Sequence, residues 1–262
     1  MKKIIFALSL AIIMILMWAC ANDSVETNKE TANTNDPAVT MSPIDDVTAI
    51  GSDGLAENDI KADDGTVIVR AACVYPTIEY EDQAIVDKIN AALKKKAEDF
   101  VLRADSCRVL AEDYYAFYEG DIESFVPYSL IGTYEITLFN DEYVSVLFSF
   151  SENTGGFHAN ESISGVTFSL ANGEAITLID VFGFEETTVK SIVGSHFKDK
   201  INDDPSSYYD DAKEAASDYV DVSMFYLTEE GVTVYLPMYS IAPFTTGIPK
   251  VTVAYSDIPV LD

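Results

Sequence analysis

The sequence predicts an α+β fold: an antiparallel sheet with packed helices, forming a single compact body behind a disordered acidic linker. Three observations predict it. Runs of β-branched and aromatic residues recur in the middle and at the end of the chain, joined by short turns as in hairpins. Stretches of helical spacing lie between these runs without the regular strand–helix alternation of a wound parallel sheet. Hydrophobic residues make up 48% and aromatics 11% of the 262 residues, enough to bury a core in one large domain or two small ones.

The first twenty residues read as an export signal. Lys2 and Lys3 precede an apolar run from Ile4 to Trp18 broken only by Ser9, short for a membrane span and suited to a signal peptide. Met17-Trp18-Ala19-Cys20 then resembles a lipobox, in which Cys20 takes a diacylglyceryl group after cleavage. Ordinary secretory cleavage after Ala21 is the alternative, because Ala19-Cys20-Ala21 also has the small-x-small pattern. No later segment is long and apolar enough to span a bilayer. The protein is thus expected to be extracytoplasmic, lipid-anchored to the bacterial cell membrane and touching it by that lipid only. Residues 21–62 are rich in Asn, Asp, Thr, Ser, Ala and Glu without apolar period, the expected linker.

The body starts with a strand over Thr66–Tyr75, ended by Pro76. Ile85, Val86, Ile89, Ala92, Leu93, Ala97, Phe100 and Val101 then recur at helical spacing, with Lys94, Lys95 and Lys96 on the wet side; this helix is expected from near Glu81 past Arg103. Helical character resumes through Val109 and Leu110 towards Tyr118, and Gly120 stops it. Strands follow at Tyr128–Phe139, Tyr143–Ser151 and Ser162–Ser169. Asn140-Asp141-Glu142 turns between the first two, and Asn172-Gly173 lies beyond the third. Thr177–Phe182 leads into a helix near Glu185–Ile201, and a shorter helix is expected near Asp210–Tyr219. Strands at Ser223–Leu227, Gly231–Met238 and Lys250–Ala254 close the chain. Cys73 and Cys107 are either a disulfide, which an extracytoplasmic setting permits, or two free thiols.

The charge narrows the partners. Asp and Glu number 44 against 16 Lys and Arg, for a formal net charge of −28, and removal of Lys2 and Lys3 makes the exported part more acidic still. Nucleic acid needs clustered cations and is excluded, as is electrostatic docking on anionic lipid. A cationic or neutral partner is favoured; the competing reading is acidity that serves solubility alone. Catalytic signals are absent: there is no G-x-S-x-G elbow and no zinc-type cysteine spacing. His158 and His196 are the only histidines. Asp203, Asp204, Asp210 and Asp211 lack the order of a calcium loop and read as a solvated acidic surface. No enzyme activity, cofactor or metal is expected, with a peptidoglycan-modifying hydrolase kept as the weaker alternative.

Two stretches carry the remaining signal. Asn153-Thr154-Gly155-Gly156-Phe157-His158-Ala159-Asn160 lies between strands, and Tyr239-Ser240-Ile241-Ala242-Pro243-Phe244-Thr245-Thr246-Gly247-Ile248-Pro249 precedes the last strand. With Val166–Leu170, Asn172-Gly173 and Leu178–Phe182 between them, this order resembles the extracellular domain of the RsiV-type anti-sigma factors, a fold also found beside the PdaC-type deacetylase domain. The resemblance spans roughly Thr66 to Ile258, with a PdaC-like part at 63–150 and an RsiV-like part at 151–262. It implies a cell-surface domain that binds rather than catalyses, with a lysozyme-like cationic protein or peptidoglycan as partner. It also implies ligand contacts from Gly155, Gly156, Phe157, His158, Asn160, Tyr239, Pro243 and Phe244. Phe244 stands where the family often has Tyr, which removes a hydroxyl. Three residues precede the apolar run, too few to hold a sigma factor, so signalling by that route is not expected. For His158 a purely structural hairpin role stays open, and for Ile241 and Phe244 a core role. The binding reading requires the glycine–histidine tip and the alanine–proline bend to meet at one rim.

Overall fold

The computed structural model describes residues 53–259; Cys20, the leader and most of the expected linker lie outside them. The described chain enters through two short strands, β1 (Gly54–Glu57) and β2 (Ile60–Lys61), both antiparallel to β3 (Val67–Tyr75). The expected linker therefore ends too late at residue 62. Ala56 and Ile60 are buried, and Asn58 N–H donates to Ala71 O at 3.0 Å while Asp59 Oδ1 accepts from Ala71 N–H at 3.2 Å. Two inward side chains and the backbone ladder hold a segment that is otherwise polar.

Helix α1 (Gln83–Val101) starts at Asp82, whose Oδ1 accepts from Ala84 N–H at 2.9 Å and Ile85 N–H at 3.3 Å, satisfying donors that a helix start leaves free. Val86, Ile89, Leu93, Ala97, Phe100 and Val101 are buried, as their spacing predicts. Lys94 and Lys95 pair with Glu98 and Asp99 one turn on. The expected continuation past Arg103 breaks there, and a second helix, α2 (Ala104–Ala116), follows. The two helices form the crossover that brings β4 (Tyr128–Phe139) parallel to β3, since a parallel neighbour cannot be reached by a tight turn. Strands β5 (Tyr143–Asn153) and β6 (Asn160–Ser169) add antiparallel. Asn140 closes the β4–β5 turn, its Oδ1 accepting from Glu142 and Tyr143 N–H at 2.9 and 2.8 Å. The sheet order is β1-β3-β4-β5-β6, with β2 also on β3.

The stretch expected to lead into a helix is itself one, α3 (Leu178–Phe182). Asp180 Oδ2 accepts from Thr177 N–H and Oγ1, both at 2.8 Å, and Gly183 ends it at φ +72°. Helices α4 (Glu186–Asp203) and α5 (Ala212–Ala215) follow, then β7 (Phe225–Leu227), β8 (Gly231–Tyr235) and β9 (Lys250–Ala254) in one antiparallel sheet. Val189, Val193, Phe197 and Ile201 of α4 share a core with Phe225, Val232, Val234 and Val253.

The two sheets meet along a seam. Leu147 packs with Tyr226 and Tyr235. Gly165 lies so close to the Phe225 carbonyl that any Cβ would overlap it, and its N–H donates to Tyr235 Oη at 2.8 Å. Leu227 N–H donates to Ser145 Oγ at 2.9 Å, and that hydroxyl is itself 2.9 Å from Thr167 Oγ1. Ser145 and Thr167 are fully buried, so these bonds replace water that cannot enter.

Cys73 and Cys107 are unbridged in this structure. Cys73 points into the core of β3 against Gly132 of β4, while Cys107 is half-buried on α2.

Gly165→Ala forces the seam apart and is expected to cost at least about 2 kcal/mol, read from the urea midpoint; an unchanged midpoint would show that the seam tolerates a methyl group. Tyr235→Phe leaves the buried Gly165 N–H without an acceptor and is expected to cost about 1–3 kcal/mol in the same assay. Burial pushes the Cys73 thiol up to about 12, so iodoacetamide at mildly alkaline pH should leave Cys73 unmodified until the chain is denatured. Peptide mass spectrometry reads this directly.

Candidate functional site

The β5–β6 hairpin projects residues 154–159 beyond the first sheet. Asn153 Oδ1 accepts from Gly155 N–H at 3.1 Å, and Gly155 takes φ +86°, a turn available at low cost to glycine. The Gly155 backbone passes over Tyr128, where a Cβ would sit 3.3 Å from the ring. Phe157 is fully exposed at the tip. Asn160 lies in the ladder opposite Glu152, at the loop's return rather than its tip.

The second loop runs from β8 to β9. Leu236 N–H donates to Pro249 O at 2.9 Å and closes its neck. Ile241 and Ala242 are fully buried anchors, and Ile241 O accepts from Tyr209 N–H at 3.0 Å. Pro243 begins a single tight helical turn over Phe244–Thr246, and Thr246 Oγ1 donates to Ser207 O at 2.7 Å. Gly247 exits at φ +75°, ψ −153°, a region essentially restricted to glycine.

The loops meet. The His158 ring stacks on Phe244 at 4.9 Å between centroids and 21° between planes, and Phe244 stacks on Tyr239 at 6.3 Å and 27°. Tyr239 has φ +66°, the only non-glycine positive φ among the described residues, and its side chain is 55% exposed. The left-handed backbone costs a tyrosine roughly 1–2 kcal/mol; here it turns the ring outward beside Phe244. The open question over Ile241 and Phe244 divides: Ile241 is core, and Phe244 is half-buried within the rim.

Charge and shape set what such a rim can do. No Lys or Arg occurs between Arg108 and Lys190, or between Lys213 and Lys250, so each loop sits in a cation-free stretch. Glu152 at the foot of the first loop is taken up by Arg103, at 2.7 Å. Four cavities of about 460–520 Å³ are lined by other residues, while Phe157 and Tyr239 stand exposed on the rim. Among the described residues no three His, Cys, Asp or Glu side chains gather as metal ligands. His196 is half-buried on α4, in a cavity with Lys200 and Lys250.

One feature of the neighbourhood was not foreseen from sequence. Tyr114 of α2 stacks on Tyr128 at 5.5 Å and 14°, directly beneath the Gly155 turn. The signal was present as a density of aromatics over 114–128 that no single buried stripe could absorb.

The fold is a two-sheet α+β domain in which the two loops meet in an aromatic rim. Residues 64–161 match the family described as Deacetylase PdaC, and residues 180–256 match the Protein of unknown function (DUF3298) family. The two matches follow one another along the chain without overlap. The crystal structure of a DUF3298-family protein from Bacteroides fragilis superposes with a TM-score of 0.53 at 16% identity, over 79% of this chain and 91% of that one; the shared fold is what this shows. A DUF3298-family protein from Pseudomonas aeruginosa PAO1 gives a TM-score of 0.46 at 17% identity over the same shares, 79% and 91%. No curated protein matches the chain in sequence.

Gly247→Ala places a side chain in a glycine-only conformation and is expected to cost about 1–3 kcal/mol, whereas Tyr239→Gly relieves strain and should leave the melting temperature unchanged or higher. A lowered melting temperature for Tyr239→Gly would mean that the tyrosine ring contributes more to the fold than its backbone costs.

Proposed function

We propose that this chain is a binding module that docks a basic protein such as lysozyme on its aromatic rim, and that it performs no hydrolysis itself. The observation that carries the reading is the His158–Phe244–Tyr239 stack: partly exposed, pre-stacked aromatic surface inside cation-free stretches of a −28 chain. Pre-stacked rings lose little entropy when buried, as binding hot spots require. The resemblance of both loops to the RsiV-type ectodomain supports the same partner class. Export and lipidation at Cys20 would present the module at the cell surface, where such a partner arrives. Among the described residues no helix is long and apolar enough to cross a membrane.

Peptidoglycan is the second reading, favoured by the near-parallel rings, whose flat faces suit sugar rings. The two separate by salt. Attraction between an acidic module and a basic protein is screened beyond about 10 Å at 0.1 M salt, so lysozyme affinity should fall steeply as salt rises; retention on purified sacculi should not.

Calorimetric titration of the purified chain with egg-white lysozyme at low and moderate salt is the direct test. Binding is expected at low salt, weakened about tenfold or more by Phe157→Ser combined with His158→Ala. No heat at either salt would end the lysozyme reading, and salt-resistant capture by sacculi in its place would establish the glycan one.

A further inference from the structure

Helix α2 is thirteen residues long yet buries only Ala104 and Ala111. Cys107 and Tyr115 are half-buried against the core, but Val109 is 66% exposed and Leu110 63%, and in the segment after the helix Phe117 is 82% and Val126 68% exposed. Soluble domains rarely leave apolar groups of this size gathered on one surface without a partner.

The base beneath them is ordered. Tyr114 packs on Phe125 at 5.4 Å as well as on Tyr128. Tyr115 and Tyr118 meet Phe125 edge-on at 5.0 and 5.2 Å. Tyr115 Oη donates to Asp64 Oδ2 at 2.6 Å, and Tyr118 Oη donates to Asp121 O at 3.3 Å. Aromatic packing of this kind fixes the 117–128 segment and holds Phe117 and Val126 out on a rigid mount.

The surface adjoins the loop rim, since Tyr128 lies under the Gly155 backbone. Its border is predominantly acidic: of the cations beside it, Arg108 pairs with Asp105, and Lys61 shares a cavity with Asp63, Asp64 and Glu112. Glu112, Asp113, Glu119 and Glu123 are exposed around it, and the next cation along the chain after Arg108 is Lys190. An apolar centre with an anionic border complements a partner with an apolar centre and a basic border. The same border repels an equally acidic second copy of this chain.

We infer that the docking face extends from the loop rim across Tyr128 onto α2 and the 117–128 segment, and that one basic protein covers both. The inference rests on the function proposed above and enlarges its footprint beyond the two loops. Phe117 and Val126 are its outer anchors; His158, Phe244 and Tyr239 are its inner ones.

Hydrogen exchange of the full chain, alone and with egg-white lysozyme, tests the inference separately from the reading it rests on. Slowed exchange is expected in 109–126 together with 154–160 and 239–247. Slowing of the two loops alone overturns the extended face and leaves the proposed function standing. Slowing of 109–126 alone overturns the inference as well, because the partner then does not cover both surfaces, and it removes the loop site. No slowing anywhere overturns both. Because Phe117 and Val126 are exposed, Phe117→Ser with Val126→Ser should fold with an unchanged melting temperature, and it is expected to weaken lysozyme binding about tenfold or more. Undiminished affinity, or a dimer of the free chain that this double variant abolishes, would overturn the inference in favour of a face unused by the partner or a self-association surface.

Discussion

The seam between the two sheets is the constraint on which the site depends. His158 hangs from the first sheet and Phe244 from the second, so they stack only while β6 and β7 stay in contact. That contact cannot slide freely. Gly165 admits the Phe225 carbonyl because it has no side chain, and a shift in either direction would drive a neighbouring β6 side chain into it. The buried bonds from Gly165 to Tyr235 and from Leu227 to Ser145 fix the register, because a displaced donor would be left unpaired without water. Burial raises the Tyr235 phenol above its ordinary value, so its oxygen remains a neutral partner in the seam throughout the ordinary pH range. The seam also covers the outer edge of β7, whose Leu227 N–H would otherwise be an open pairing site.

From that frame the second loop is placed by anchors and shaped by local strain. Ile241 and Ala242 are buried on one side of Pro243, and Pro249 joins the β8 end on the other. Between them the chain has one short helical turn and a glycine exit to make its bend. Tyr239 sits just upstream at a positive φ, the kind of unfavourable backbone that persists when its surroundings over-determine it. Its ring gains little burial in return. This strained, exposed aromatic next to a stacked pair is what the proposed binding role makes use of, and it sets Tyr239 apart from Ile241 two residues on, which is core.

Much of this was legible in the sequence, and the failures have physical reasons. β4 and β9 begin and end where their β-branched runs do, because Asn140 and Pro249 bound them chemically. α1 reads correctly because its apolar residues fall on one stripe. β1 and β2 were missed because Ala56 and Ile60 are isolated inward side chains in a polar stretch, too few to make a period; their strand character comes from pairing with β3. α2 is legible as a helix, but its burial is not: apolar residues around its whole circumference look like core until the sheet is seen to take only the Ala104–Ala111 side. The meeting of the two loops was expected from their resemblance to a known ectodomain, since no spacing rule brings residues 158 and 244 together. The Tyr114–Tyr128 contact lay beyond both kinds of reading, because it joins a helix to a strand start through the crossover.

The distribution of charge bears on whether acidity serves solubility alone. Solubility asks for both signs interspersed and a net charge away from zero. The basic residues are instead spread unevenly along the sequence. Lys88, Lys94, Lys95, Arg103 and Arg108 lie on the α1–α2 crossover, each paired with a carboxylate, while the long stretch from 109 to 189 has none. That stretch contains the exposed apolar segment, the Gly155 loop and His158. Glu152, Glu174 and Glu186 there are paired with Arg103, Lys88 and Lys190; concentrating the remaining carboxylates there raises self-repulsion in the folded state, a cost that dispersed charges would reduce at equal solubility. A surface that must attract a basic partner from a distance and repel copies of itself has a use for that segregation, and solubility alone does not.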